Sequence, residues 1–179
     1  MSQALAAPLT QTTTVLGVDP GQRTGVAIVD VGPRAPYTVV TLATVADDQF
    51  VNWVRELTQE STPDAVAIED WEHQGPAKSH GAMYQGFNAG RCVGIMEAFG
   101  VSQVVLLRRR EVLTAFGVRT EKALHHSVRY LTDLGERHAT LHELDAIAIA
   151  IAGAGRFGPI FGGDRFNRTP RPRRPRRKR

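Results

Sequence analysis

The chain has 179 residues, 22 Lys and Arg against 18 Asp and Glu, and a single cysteine. That length suits one domain with a real apolar core. No apolar run reaches the roughly 18 residues of a membrane span, Met1 to Thr14 lacks the basic start and apolar centre of a signal peptide, and Cys92 alone permits neither an internal disulfide nor a thiolate zinc site, which suits a cytoplasmic setting. The net charge of +4 is unevenly spread: Arg168 to Arg179 holds eight basic and no acidic residues, leaving 14 basic against 18 acidic in the remainder.

In chain order, residues 1–13 read as a flexible leader and Thr13 to Asp19 as a buried strand. Pro20-Gly21-Gln22-Arg23 is a turn, and Thr24 to Asp30 returns as the second strand of an antiparallel hairpin. Gly32 to Pro36 turns again, and Tyr37 to Val45 alternates as a third strand. Asp47 or Asp48 caps a helix running to about Glu60, with Phe50, Trp53, Val54 and Leu57 on its apolar face. Ala65 to Asp70 is a fourth strand, and Trp71 to Ser79 is a polar loop.

A helix from about His80 to Phe99 carries Gly86, Gly90 and Gly94 at four-residue intervals, which marks either a close helix or dimer contact or a weak helix. Gln103 to Leu107 is a short fifth strand. Arg108-Arg109-Arg110 opens a helical turn toward Phe116-Gly117, Thr120 caps a helix through about Leu134, and Leu141 to Ala152 is an unusually apolar last helix. Gly153 to Arg165 reads as glycine-rich linker, so the folded domain spans 14–155, and 156–179 is linker and tail. The prolines at 170, 172 and 175 keep that tail from a stable helix. Its Arg173, Arg174, Arg176, Arg177, Lys178 and Arg179 suit an arm on nucleic-acid phosphates.

This order predicts an α/β fold with a mixed five-stranded sheet, three antiparallel strands followed by parallel ones, flanked by helices. The fourth strand arrives through a helical crossover and is expected parallel to its neighbour. If that neighbour is the first strand, Asp19 and Glu69 project from adjacent strand ends, roughly 5 Å apart at the backbone. His142 and Asp145 share a helix face. A set of hard carboxylate oxygens and an imidazole at one sheet edge suits divalent cations held against phosphate. Each residue alone has a plainer reading: Asp19 before Pro-Gly as a turn residue, a lone helical His as structural, Asp70 and Glu72 as solvated carboxylates. His73, His80, His125 and His126 lack metal-ligand spacing to a partner in the sequence.

With those residues in view, the chain resembles the RuvC family of Holliday-junction resolvases, within the ribonuclease H-like superfamily. The matching pieces are Gly17-Val18-Asp19-Pro20-Gly21 with Thr24-Gly25, Ala67-Ile68-Glu69, Gly117 with Thr120-Glu121-Lys122, and His142-x-x-Asp145-Ala146-x-Ala148-Ile149-Ala150. They run in the family's order across Val15 to about Ala152. The resemblance implies a ribonuclease H-like fold and a DNA endonuclease that nicks four-way junctions in symmetric pairs. It implies Asp19, Glu69 and Asp145 as catalytic metal-binding carboxylates, with His142 at a fourth position that is Asp in some members and His in others. It further implies two Mg²⁺ ions per site with Mn²⁺ as a substitute, a homodimer on branched DNA, and Lys122 near DNA or the active site.

Asp19 would bridge the ions, Glu69 would serve one near the attacking water, and Asp145 the other. His142 would either ligate or orient and deprotonate that water. Arg108, Arg109, Arg110 and Arg119 suit phosphate contacts, and Trp71 suits stacking on an unpaired base.

The chain departs from the family in a first turn one residue shorter, in Glu72 where an aromatic often follows the glutamate, in Val112 and Leu113 where a lysine is common, and in its basic tail. These departures suggest a divergent, phage-type resolvase working in a bacterial cell or an infected host; a branch-migration helicase is left open as a partner that the sequence does not identify. A broader nuclease for forks and flaps shares the same site, as does a pre-ribosomal-RNA nuclease acting on RNA. A catalytically weak junction-binding protein would rely on the tail and dimer surface instead. An actin-like phosphotransferase needs a second similar domain, which 179 residues do not hold.

Overall fold

The computed structural model describes residues 12–60, 62–70 and 80–157. Most of the leader, Trp71 and the arginines and lysine of the basic tail lie outside the described residues. Among the described residues, five strands and five helices follow in the order β1 (Thr13–Asp19), β2 (Arg23–Val31), β3 (Thr38–Ala46), α1 (Phe50–Glu60), β4 (Ala65–Asp70), α2 (His80–Ala98), β5 (Val104–Arg108), α3 (Arg109–Ala115), α4 (Glu121–Leu131) and α5 (Leu141–Phe157). The sheet order is β3-β2-β1-β4-β5. β1 pairs antiparallel with β2, and β2 with β3. β4 runs parallel to β1, as the helical crossover requires, and β5 runs parallel to β4.

The sheet divides the core by the two-residue alternation of its strands. Leu16, Val18, Val26, Ile28, Val66 and Ile68 face α1 and α2, where Phe50, Val54, Cys92 and Met96 are buried. Val15, Ala27, Val29 and Ala67 face α5. Helix α5 is apolar all round because it is covered on both sides. The sheet lies under it, and Val112 of α3 with Leu124 and Val128 of α4 pack against it from outside.

Glycines and alanines set how close α5 comes to the sheet. A Cβ on Gly17 of β1 would lie inside contact distance of the Ala146 carbonyl oxygen and 2.7 Å from the Ala150 amide nitrogen. A Cβ on Gly25 of β2 would stand 2.5 Å from the His142 carbonyl carbon and 2.9 Å from its Cβ. Gly153 does the same from the helix side, where a Cβ would collide with that of Ala67. This contact corrects the expected helix end at Ala152. Gly153 belongs to the helix, which runs through Phe157, because a bare Cα is what fits against β4.

Other differences are local. Helix α4 stops at Leu131 rather than Leu134 because Thr132 turns extended and bridges Tyr37, while the Asp133 carboxylate accepts from the Val39 amide at 2.8 Å. Asp47, expected as a cap of α1, binds Arg91 of α2 at 2.5 Å. Gly90 and Gly94 meet nothing within 4 Å, so the close contact suggested by their spacing is not made within the described residues.

The close seat of α5 gives a direct test. Gly17→Ala should lower the thermal midpoint by about 5 °C or more, because backbone rather than a flexible side chain must move. An unchanged melt by circular dichroism would contradict this packing.

Candidate active site

Val18 of β1 is registered with Ile68 of β4, so the next residues, Asp19 and Glu69, end adjacent parallel strands. Both fall on the face that α5 covers, with Gly17 and Ala67 two residues earlier. Asp70 falls on the opposite face by the same alternation. Asp19 is paired across the hairpin with Gly25, on which the backbone of His142 rests. The close approach at Gly25 therefore brings the start of α5 over the end of β1, and His142 Nδ1 lies 2.8 Å from Asp19 Oδ2.

The start of α5 is fixed by its own capping box. The Glu143 carboxylate accepts from the Thr140 amide at 2.7 Å, and the Thr140 hydroxyl accepts from the Glu143 amide at 3.3 Å. Thr44 of β3 hydrogen-bonds Thr140 at 3.0 Å and donates to Glu143 at 3.2 Å, tying the cap to the sheet. The Thr-x-x-Glu pattern is visible in the sequence and marks the helix start independently of His142. It also accounts for Glu143 as a structural acid.

Asp145 sits one turn further on, where α3 and α4 close over the helix. Its Oδ1 takes two contacts of 2.8 Å, from Arg109 Nη2 and from His125 Nε2. Arg109 also reaches Glu121 Oε1 at 3.3 Å and stands 3.7 Å from Glu69 Oε1. Asp19, Pro20, Glu69, Arg109, Glu121, His142 and Asp145 line one open pocket of about 260 Å³. At ~30 Å³ per water that is room for several waters or for hydrated ions beside a phosphodiester.

The sequence reading of Asp19, Glu69, His142 and Asp145 thus corresponds to four groups brought together in one pocket. Three further members were not read there. Arg109, taken as a phosphate contact, points into the carboxylates; His125, which lacked a partner in the sequence, holds Asp145; and Glu121 adds an acid. No local spacing signals them, because their places depend on how α3 and α4 dock on α5. Arg108 and Arg110 flank Arg109 and are exposed, as are Arg119 and Lys122 at the start of α4. The Arg108 amide donates to Glu111 Oε2 at 2.9 Å, which anchors the turn from β5 into α3.

Crowding of acids away from water has a measurable consequence. Burial pushes the Glu69 carboxyl up to about 8; Arg109 opposes the rise, and Asp19 and Asp145 add to it. Burial also raises Asp19, partly offset by its hydrogen bond to His142 and reinforced by Asp145. For Arg109, lost solvation disfavours the charged form, but Glu69 and Asp145 outweigh it and hold the guanidinium ionised. Among the described residues, no three acidic, imidazole or thiol groups form a ready-made cation cage. The carboxylates are turned instead onto Arg109, His125 and His142.

No family model and no curated protein matches the chain by sequence. Solved structures match it by fold. The RuvC of Thermus thermophilus in complex with Holliday junction substrate is 23% identical, with a TM-score of 0.68 over 79% of this chain and 93% of that one. Another Thermus thermophilus RuvC structure is 21% identical, with a TM-score of 0.65 over 80% and 96%. The yeast mitochondrial Holliday junction resolvase Ydc2 is 11% identical, with a TM-score of 0.51 over 83% and 82%. Three antiparallel strands followed by two parallel ones, with α5 laid across them, are the ribonuclease H-like fold that this chain shares with the RuvC resolvases.

Proposed function

We propose that this chain is a metal-dependent, structure-specific DNA endonuclease that resolves four-way junctions by paired symmetric nicks. The observation that carries the reading is the single pocket uniting Asp19, Glu69, His142 and Asp145 at one sheet edge. The fold shared with resolvases, one of them solved on junction DNA, supports the substrate class.

The donor set fits Mg²⁺ or Mn²⁺. It offers hard carboxylate oxygens, and burial, the first cause of the upward shifts of Asp19 and Glu69, disfavours their charged forms, a cost that a bound cation would offset. Asp19, Glu69 and Asp145 would hold the ions. When bound, such ions supply charge neutralisation at the phosphorus and acidity to the attacking water. His142 has Nδ1 committed to Asp19, which leaves Nε2 at the half-exposed mouth to accept a proton from water or to ligate.

Exposed Arg108, Arg110, Arg119 and Lys122 lie on elements bordering the pocket and suit contacts to neighbouring phosphates. The tail residues Arg173, Arg174, Arg176, Arg177, Lys178 and Arg179 would add sequence-independent affinity, and Trp71, next after β4, would stack on a base at the junction centre. Paired nicks need two sites, and the bare, exposed Gly90 and Gly94 of α2 leave a helix face on which a second copy can pack closely. The expected setting is the cytoplasm, where junction DNA arises; among the described residues no helix is long and apolar enough to cross a membrane.

Two measurements check the site. Asp19→Asn should reduce nicking of a four-way junction in Mg²⁺ by ~100-fold or more while gel-shift binding of that junction persists; nicking near the wild-type rate would remove Asp19 from the chemistry. Glu69 gives a pH test of the metal-free protein. Its folded value, about 8, exceeds the ordinary 4.5, so its contribution to stability is full below pH 4.5 and is lost as pH rises through 8. In EDTA, Glu69→Gln should therefore melt about 5 °C or more above wild type at pH 9, with the gap closing toward pH 4. A gap that does not vary with pH would contradict the crowded-carboxylate picture.

A further inference from the structure

The side chain that reaches most of the acids in the pocket is a cation of the protein itself. Arg109 is the first residue of α3, and its guanidinium touches groups from three other elements: Asp145 of α5 at 2.8 Å, Glu121 of α4 at 3.3 Å and Glu69 of β4 at 3.7 Å. Its Nη1 is buried and makes no hydrogen bond. A buried donor without a partner is costly, so the planar fork is held there by charge rather than by a completed hydrogen-bond set. The Asp145 oxygen that Arg109 holds is also the one that His125 holds. A divalent ion ligated by Glu69 and Asp145 at about 2.1 Å would have to sit against the guanidinium. Two cations of that charge are not accommodated side by side over the same two carboxylates.

We propose that Arg109 is the resident counter-cation of this site and competes directly with the divalent ion for Glu69 and Asp145. This rests on the nuclease reading, since it takes those two acids as metal ligands. Without the ion, Arg109 neutralises the pocket and ties α3 to β4, α4 and α5. Loading the ion requires Nη2 to leave Asp145, and Nη1 and Nη2 together then present the fork that suits phosphate oxygens. Arg109 is on this account a positioning residue that sets how tightly the site takes up metal.

The test is direct Mn²⁺ binding to the full chain without DNA, read from the free-ion electron paramagnetic resonance signal, with the Mn²⁺-induced rise in melting temperature as a second readout. Arg109→Gln should bind Mn²⁺ about 10-fold tighter than wild type, melt lower in EDTA, and gain more on adding Mn²⁺. Arg109→Lys keeps the charge but not the fork that spans three acids, so it should fall between, about threefold tighter than wild type. If either folded variant binds Mn²⁺ no more tightly than wild type, the proposal is overturned. Glu69→Gln separates the two ideas. Loss of Mn²⁺ binding in that variant upholds Glu69 as a ligand whatever Arg109 does, whereas unchanged binding would overturn the metal reading and this proposal with it.

Discussion

The structure depends on one close approach, that of the α5 backbone to the middle of the sheet. Gly17, Gly25 and Gly153 lack the Cβ atoms that would block it at three points, over β1, β2 and β4 respectively. Ala146 and Ala150, both buried, continue the small-residue face. With larger residues the helix would ride higher, as ordinary side-chain packing requires. His142 would then rise away from Asp19, and Asp145 away from Glu69. The same contact that fills the core therefore fixes the spacing of the site, so packing and chemistry cannot vary independently here.

The second governing feature is charge. Asp19, Glu69, Glu121 and Asp145 share one pocket, and Asp19 and Glu69 are pushed toward protonation by burial, with Asp145 adding to both. The fold tolerates this through Arg109, through the His142 and His125 contacts, and through the stability of the buried α5, whose Ile147, Ile149 and Ile151 each contribute about 1.5–3 kcal/mol by burial. Acids shifted by burial and by one another's charge cluster at functional sites.

Much of this was legible in the sequence. β1 and β4 announce themselves as apolar runs ending in an acid, and the helical crossover between β3 and β4 makes β4 parallel. These bring Asp19 and Glu69 side by side on the condition that β4 lies next to β1, which the sequence leaves open and the strand pairing supplies. The His142-x-x-Asp145 spacing on a strongly apolar helix completes the set. What was not legible depends on docking between helices. Arg109 reads as one of three exposed arginines until α3 is seen to begin at the pocket wall. His125 reads as an orphan until α4 is laid on α5. The end of α5 was misjudged because Gly153 is an ordinary linker signal unless Ala67 is known to lie beneath it. The Thr140-x-x-Glu143 cap was available in the sequence and gives the helix start with no knowledge of the site.

The central claim is that this pocket cuts branched DNA through divalent cations, two copies acting on one junction. It is tested most directly by a nicking assay on a mobile four-way junction, a fork, a flap and a linear duplex, each in Mg²⁺, Mn²⁺ or EDTA. The account predicts cation-dependent, symmetric paired nicks on the four-way junction, yielding duplexes that ligase can seal, with the linear duplex left intact. Comparable cutting of forks and flaps would contradict junction selectivity, and the absence of cation-dependent cutting on any of the four DNAs would contradict the claim itself.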